Sequence, residues 1–213
     1  MSAPPRRAID LSGFEAKFRA AADPWQTFTA RDEAIKRGRI VRALGTRPHA
    51  RLLELGCGNG SNSRALARRA LHLHACDGSA SAIRLTRAVL ADHAHAEAYR
   101  IALPAPLPGR RYEAVVIAEL LYYLAPRALD RLARDVARVL VPGGRIVLAH
   151  HHIEFHDSAQ RAAGIHARFL SATGRAWQRR YVAANRRWHV EGFVATRPAR
   201  WCHAAAEPGP FGV

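Results

Sequence analysis

The amino-acid sequence predicts an α/β fold: a seven-stranded, mostly parallel sheet with helices on both faces and an antiparallel hairpin at its end. Three observations predict it. Short apolar runs alternate with amphipathic stretches through the middle of the chain, the pattern of strand–helix–strand units. The first run ends in a glycine cluster, Gly56-Cys57-Gly58-Asn59-Gly60, where a strand would turn into a helix. The last two extended runs lie around Asn185-Arg186-Arg187, a connection that joins an antiparallel pair and leaves no room for a crossover helix.

Residues 10–22 and 31–45 read as two helices ahead of the sheet, with Asp23-Pro24-Trp25 between them. Arg51 to Leu55 is the first strand, and 61–70 the helix after the glycines. Leu71 to Cys76 is the second strand, closed by Asp77-Gly78; Ser79 then caps a helix whose Ile83, Thr86, Val89 and Leu90 recur at helical spacing. Ala98 to Leu103 is the third strand, broken by a proline-rich loop to Gly109. Tyr112 to Ala118 is the most apolar run, as a central parallel strand buried on both faces should be. Pro126 opens a helix with Leu129, Leu132, Val136, Val139 and Leu140 in one stripe. Pro142-Gly143-Gly144 stops that helix before a fifth strand, Arg145 to Ala149. Beyond it come a helix over 157–172 and two extended runs, Trp177 to Ala183 and Trp188 to Ala195. With no repeat and no linker this reads as one domain: N-terminal helices over 1–45, a core over 46–200 and a frayed tail over 201–213.

Composition narrows the class. The chain has 213 residues, almost half of them apolar, which suits one large domain with its own core and excludes a disordered chain. No apolar run reaches the ~20 residues a membrane helix needs, and Met1 to Arg7 offers no secretory apolar segment. Three scattered cysteines, Cys57, Cys76 and Cys202, suit reduced thiols, so a cytoplasmic location is expected. The formal charge of +16 would attract phosphates and RNA. Yet 31 of the 33 basic residues are arginine, and they are spread along helix faces rather than blocked together. That skew fits codon bias in a GC-rich genome, and nucleic acid is not the expected partner.

The chemistry begins at Glu54-Leu55-Gly56-Cys57-Gly58-Asn59-Gly60. Glycines there let the chain turn sharply and let a ligand lie against the main chain. Ser61 stands where a dinucleotide fingerprint wants its third glycine, which argues against a nicotinamide cofactor. Asp77, at the end of the second strand, is placed to accept both ribose hydroxyls of an adenosine; its structural alternative is a turn or helix-start carboxylate. Glu54 either touches the ligand or orients the glycine loop as a hydrogen-bond acceptor.

Leu53 to Gly60, Asp77 and Pro142-Gly143-Gly144 resemble the motifs of class I S-adenosylmethionine (SAM)-dependent methyltransferases, which have a Rossmann-like fold. More narrowly, Asp23-Pro24-Trp25, Ala118 to Leu124 and the run His150-His151-His152 resemble the nodulation protein S (NodS) family, whose members N-methylate deacetylated chitooligosaccharides. The resemblance spans roughly 20–196. It implies that Gly56, Gly58 and Gly60 line SAM and that Asp77 holds its ribose. It also implies that Cys57, Gly78, Ala102, Leu103, Ala118 and Trp25 complete the cofactor site; Asp23-Pro24-Trp25 forms either part of an N-terminal lid or a helix–helix turn with Trp25 in the core. One departure stands out: Ala102-Leu103 occupies the place where the family usually has an acidic residue beside the adenine.

In an open α/β sheet the acceptor lies beyond the carboxyl ends of the strands. Glu119, after the fourth strand, is the first candidate there, to hold the charge of an amine or take its proton; the alternative is a turn cap or a contact to the methionine part of SAM. Of Tyr122 and Tyr123, next-door residues that point different ways, Tyr122 is preferred. Alternation sets His150 and His152 on one side of the fifth strand and His151 on the other. His150 is taken by position as base or acceptor ligand. Two histidines two apart can also begin a metal site, but without a nearby carboxylate set none is expected. The expected function is methyl transfer to a small amine such as an amino sugar, by a monomer or homodimer. O-methylation of a natural product, a nucleic-acid methyltransferase or RNA-binding protein, and SAM binding without catalysis are the other readings. The second lacks an Asn-Pro-Pro-Tyr-type tetrapeptide after the fourth strand.

Overall fold

The computed structural model describes residues 8–152 and 156–196; the expected tail at 201–213 lies outside them. One sheet of seven strands organises the chain: β1 (His49–Leu55), β2 (Ala70–Asp77), β3 (Ala96–Arg100), β4 (Tyr112–Ala118), β5 (Leu140–His151), β6 (Trp177–Ala184) and β7 (Trp188–Ala195). They lie in the order β3-β2-β1-β4-β5-β7-β6. β1 pairs in parallel with β2 and β4, β2 with β3, and β4 with β5; only β7 runs against its neighbours. The order reverses between β1 and β4, so the crevice at their carboxyl ends is the place where this topology receives a ligand. Among the described residues no helix is long and apolar enough to cross a membrane.

Two apolar layers flank the sheet. Leu53, Leu55, Val115, Ile117, Ile146 and Leu148 face α5 (Pro126–Val139) and α6 (Ile165–Ala172), which press Leu129, Leu132, Val136, Ile165 and Phe169 onto them. The alternate residues, Leu52, Val116, Val147 and Ala149, face α2 (Arg31–Ala43), α3 (Ser63–Ala67) and α4 (Ala80–Val89) through Ile40, Leu66 and Ile83. The period of two along each strand thus sorts side chains between two buried faces, and neither face is marked by polarity. α1 (Leu11–Ala20) is capped by Asp10 and held against the start of α4, where Glu15 accepts from Ser79 Oγ, Ser81 N and Ser81 Oγ at 2.7, 3.1 and 2.8 Å.

Several element boundaries shift: β1 begins at His49 and β3 at Ala96, and the helix expected over 61–70 is confined to Ser63–Ala67 because Ala70 already belongs to β2. Pairing of β5 begins at Leu140, not Arg145: Leu140 sits opposite Tyr112 and Arg145 opposite Ala114, so Pro142-Gly143-Gly144 loops out between them as a bulge. α6 starts only at Ile165, because Gly164 before it is in the left-handed region at φ 73°. β3 ends at Arg100, so Ala102 and Leu103 belong to the loop beyond it. The terminal hairpin forms as expected, its turn closed by Asn185 Oδ1 accepting from Arg187 N at 2.8 Å and Trp188 N at 2.9 Å.

Candidate functional site

A cavity of about 740 Å³ opens at the carboxyl ends of β1, β2 and β4 and is roofed by α1, the Pro24–Thr27 turn and α2. Of the residues singled out in the sequence, Gly56, Cys57, Gly58, Asp77, Gly78, Ala102, Leu103, Ala118, Glu119, Tyr122 and Trp25 line it.

The glycine end is built on main-chain geometry. Gly56 and Gly58 have φ of 73° and 56°, and Gly56 and Cys57 donate their N–H groups to Cys76 O at 2.8 and 3.0 Å, tying the loop to the end of β2. Asp77 faces this loop: Oδ2 accepts from Gly58 N and Oδ1 from Ser79 N, each at 2.9 Å. Burial raises its carboxyl above the ordinary value, against the pull of these backbone N–H groups. Asn59 fastens the roof, its side chain donating to Asp23 Oδ1 at 2.9 Å and to Ala22 O at 3.2 Å. Asp23 also accepts from Thr27 N and Phe28 N, closing the turn that places Trp25 edge-on to Phe18. Trp25 therefore serves both as a helix–helix turn residue and as a wall of the cavity.

Three residues stand elsewhere. Glu54 is set back beneath the loop, 1 % exposed, with Oε2 accepting from Ser63 Oγ at 2.5 Å; of its two readings the geometry carries the structural one. Burial pushes its carboxyl up to about 8. Gly60 also lies outside the lining: a Cβ there would sit 3.0 Å from Thr86 Cα, so it serves the contact of the loop with α4.

The third is His150, and here the expectation is corrected. It lies on the face of β5 shared with Ile146 and Leu148, is 2 % exposed, and contacts His166 of α6 across 2.7 Å between Nδ1 and Nε2. His151, on the other face, is the one that lines the cavity. Both faces of β5 are buried, so alternation separated the histidines without saying which side holds the site.

The far end of the cavity is ionic. Glu119 takes φ 54°, a left-handed conformation rare outside glycine, and its carboxylate gathers four groups. Oε1 meets Lys36 Nζ at 2.6 Å and His151 Nδ1 at 3.0 Å; Oε2 accepts from Tyr122 OH at 2.5 Å and His151 N at 3.2 Å. Lys36 is 2 % exposed and also reaches Glu33 Oε1 at 2.9 Å, while His151 Nε2 meets the same oxygen at 3.1 Å. Burial would raise the Glu119 carboxyl, but the Lys36 ammonium and the His151 ring hold it far below the usual range. Burial would likewise lower His151, yet Glu119 and Glu33 push it up to about 9. Tyr122 and Tyr123 both border the cavity, their rings 4.5 Å apart, because the 3-10 turn at Leu121–Tyr123 fans successive side chains along one rim where a strand would oppose them.

Sequence reasoning missed Lys36, Glu33 and His151. One signal pointed to Lys36: it is one of two lysines in a chain that otherwise uses arginine. A buried point charge satisfied by two carboxylates calls for a compact ammonium, which a planar guanidinium cannot replace.

A methyltransferase-domain family model matches residues 52–144. Nodulation protein S of Rhizobium tropici is 31% identical over 130 residues, 60% of this chain and 55% of that protein; its Sinorhizobium fredii counterpart is 28% identical over 130 residues, 60% of each. The chain thus spans little more than half the length of these relatives. Among solved structures, the N-methyltransferase NodS of Bradyrhizobium japonicum WM9, in complex with S-adenosyl-L-homocysteine, superposes with a TM-score of 0.76 at 18% identity, covering 87% of this chain and 97% of that one. Phosphoethanolamine N-methyltransferase 1 of Haemonchus contortus, with phosphoethanolamine and S-adenosylhomocysteine, superposes at 0.65 and 14% identity, over 90% of this chain and 51% of that one. At these identities the superpositions establish the fold. Residues 52–144 thus match a methyltransferase domain, and the chain has the Rossmann-like fold of class I SAM-dependent methyltransferases and resembles the NodS proteins among them.

Proposed function

We propose that this protein is a SAM-dependent methyltransferase acting on the nitrogen of a small amine, with amino sugars such as glucosamine oligomers as the acceptor class. The observation that carries the reading is that one cavity joins two unlike ends: a main-chain cradle with Asp77 at its edge, and the Glu119–Lys36–His151–Tyr122 cluster.

The cradle fits an adenosine. The Asp77 carboxylate accepts from the backbone N–H groups of Gly58, Ser79 and Gly78 and keeps lone-pair capacity for a hydroxyl of a vicinal diol. Ile101, Ala102 and Leu103 line the cavity beside Asp77 and Gly78 and offer apolar surface to a base. Bound SAM supplies a methyl group on a sulfonium. The residues at the other end position the acceptor and stabilise what forms on it. Glu119, kept anionic, holds Lys36, His151 and Tyr122 around the space where the nitrogen gains positive charge on accepting the methyl, and Tyr122 and Tyr123 border the same space. Both ring nitrogens of His151 face carboxylates, so neither is free to take a proton from a hydroxyl; this supports an amine that arrives neutral over an alcohol. The N-terminal segment to α2 acts as the lid, since residues of α1, Trp25 and Lys36 all line the cavity.

Calorimetry with S-adenosylhomocysteine and methyl-transfer assays over glucosamine oligomers and simple amines test this. The expected result is binding that weakens at least about tenfold in Asp77→Ala. Glu119→Gln should keep the binding and lose at least about 100-fold in turnover. A chain that binds no S-adenosylhomocysteine, or that methylates alcohols and no amine, overturns it.

A further inference from the structure

Behind the cavity, on the opposite face of β5, three histidines from three elements meet. His150 of β5 lies opposite His189 of β7 in the antiparallel register, and α6 lays His166 across them. The three ring centroids are 4.3 to 4.4 Å apart pairwise, and one ring nitrogen from each lies within 4.8 Å of the others. His150 and His166 are 2 % and 4 % exposed. Glu191, also of β7, completes the group: its Oε2 is 2.8 Å from His166 Nδ1, and its Oε1 is held by Arg179 at 3.2 Å.

The hydrogen bonds of this group do not close. A carboxylate only accepts, so His166 Nδ1 carries the proton toward Glu191 and Nε2 is left as an acceptor for His150 Nδ1–H. His150 Nε2 is then a buried lone pair with no partner among the described residues. His189 fares no better. Its Nε2 is 3.0 Å from the His166 nitrogen already committed to Glu191, and its buried Nδ1 has no partner among the described residues. Either tautomer of His189 leaves one ring nitrogen unsatisfied, and buried polar groups are seldom left so. Packed neutral imidazoles with spare lone pairs, one of them oriented by a carboxylate on its other nitrogen, are the donor set of a transition-metal site.

We propose that His150, His166 and His189 bind a divalent transition-metal ion, Zn²⁺ before others, through one ring nitrogen each, with Glu191 fixing the orientation of His166 and supplying compensating charge. Imidazole donors without thiolate suit zinc, nickel or copper over magnesium or calcium, which take oxygen ligands. The site joins β5, β7 and α6, and the Tyr122 ring stands 6.2 Å from His150, so a bound ion would brace the strand end that presents His151 and the turn that presents Tyr122. Its role is structural: no ring of the trio lines the cavity. The proposal does not depend on the methyltransferase reading.

The test uses the untagged full chain, stripped with a chelator and titrated with Zn²⁺ against a chromophoric competitor, then with Co²⁺ for its ligand-field spectrum. One ion per chain with a sub-micromolar Kd is expected, with a rise in melting temperature on binding and anomalous scattering that places the ion among the three rings. His189→Gln and His166→Asn should weaken binding at least about 100-fold. His189→Gln keeps a polar group of similar size and guards against loss through misfolding, which S-adenosylhomocysteine binding and circular dichroism monitor. No stoichiometric ion at 10-fold excess zinc, affinity unchanged in both variants, an ion located at other histidines, or a water molecule found bridging the trio in zinc-loaded crystals would each overturn it.

Discussion

Single residues set the shape and the pH response of the loop beneath the cavity. Gly60 combines φ 85° with a backbone atom, Thr86 Cα, 3.0 Å from where a Cβ would stand, and a backbone atom cannot step aside as a side chain can. Gly60→Ala is expected to cost roughly 2 kcal/mol, read by urea denaturation. Glu54 responds to pH. Its folded value of about 8 lies above the ordinary 4.5, so the folded chain keeps a proton that the unfolded chain gives up. Its contribution is therefore fully present below about pH 4.5 and is lost as the pH climbs toward 8. Glu54→Gln, which can still accept from Ser63, removes that dependence. The variant should gain on the parent by up to ~1.4 kcal/mol per pH unit within that window and by nothing at pH 4. Denaturation curves at pH 4, 6 and 8 showing a gap independent of pH would refute the burial account.

At the scale of elements, the ion cluster is what fastens α2 to the ends of β4 and β5. Lys36 is the single ammonium between Glu33 of its own helix and Glu119 after β4. Replacing it with Met leaves two carboxylates with one imidazole between them. Lys36→Met should cost roughly 3 kcal/mol in stability, and Lys36→Arg should not restore it, because the planar fork does not fit a site built round a point charge. Thermal unfolding of both variants decides the matter; a Met variant as stable as the parent would show that the pair contributes nothing net. Elements also explain why the sequence misassigned the acceptor-side histidine. The run His150-His151-His152 announces chemistry, but the choice between its two faces is made by what α2 and α6 bring to each side: Lys36 and Glu33 on one, His166 on the other. Helix packing partners are absent from a local pattern. The same holds for the carboxylate not expected near His150: Glu191 reaches the group through the pairing of β5 with β7.

For the whole molecule, the formal charge of +16 is distributed, and the cavity itself draws on few of the arginines. Lys36 is the basic side chain buried in it, and it is neutralised. Retention of RNA is therefore expected to be weak at physiological ionic strength and to fall steeply and without sequence preference as salt rises. A filter-binding salt titration checks this, and sequence-specific retention that survives 0.2 M salt would point to a nucleic-acid acceptor. The sheet order places the cavity at the reversal between β1 and β4, where the loop with its glycines, the end of β2 with Asp77 and the end of β4 with Glu119 converge.

What the sequence determined by itself was local in origin. Strand and helix periods, the glycines at 56–60, the carboxylate at the end of β2 and the Asn185 turn each follow from residues close along the chain, whereas the strand order, with β7 between β5 and β6, came from the tertiary structure. What only the tertiary structure decided involved groups far apart in sequence: Lys36 with Glu119 and His151, Glu54 turned under the loop to Ser63, and His150 turned from the cavity toward His166 and His189. The reason is physical. Backbone preferences and the alternation of side chains act over a few residues, whereas the sign and placement of buried charge depend on which distant elements pack together to desolvate it.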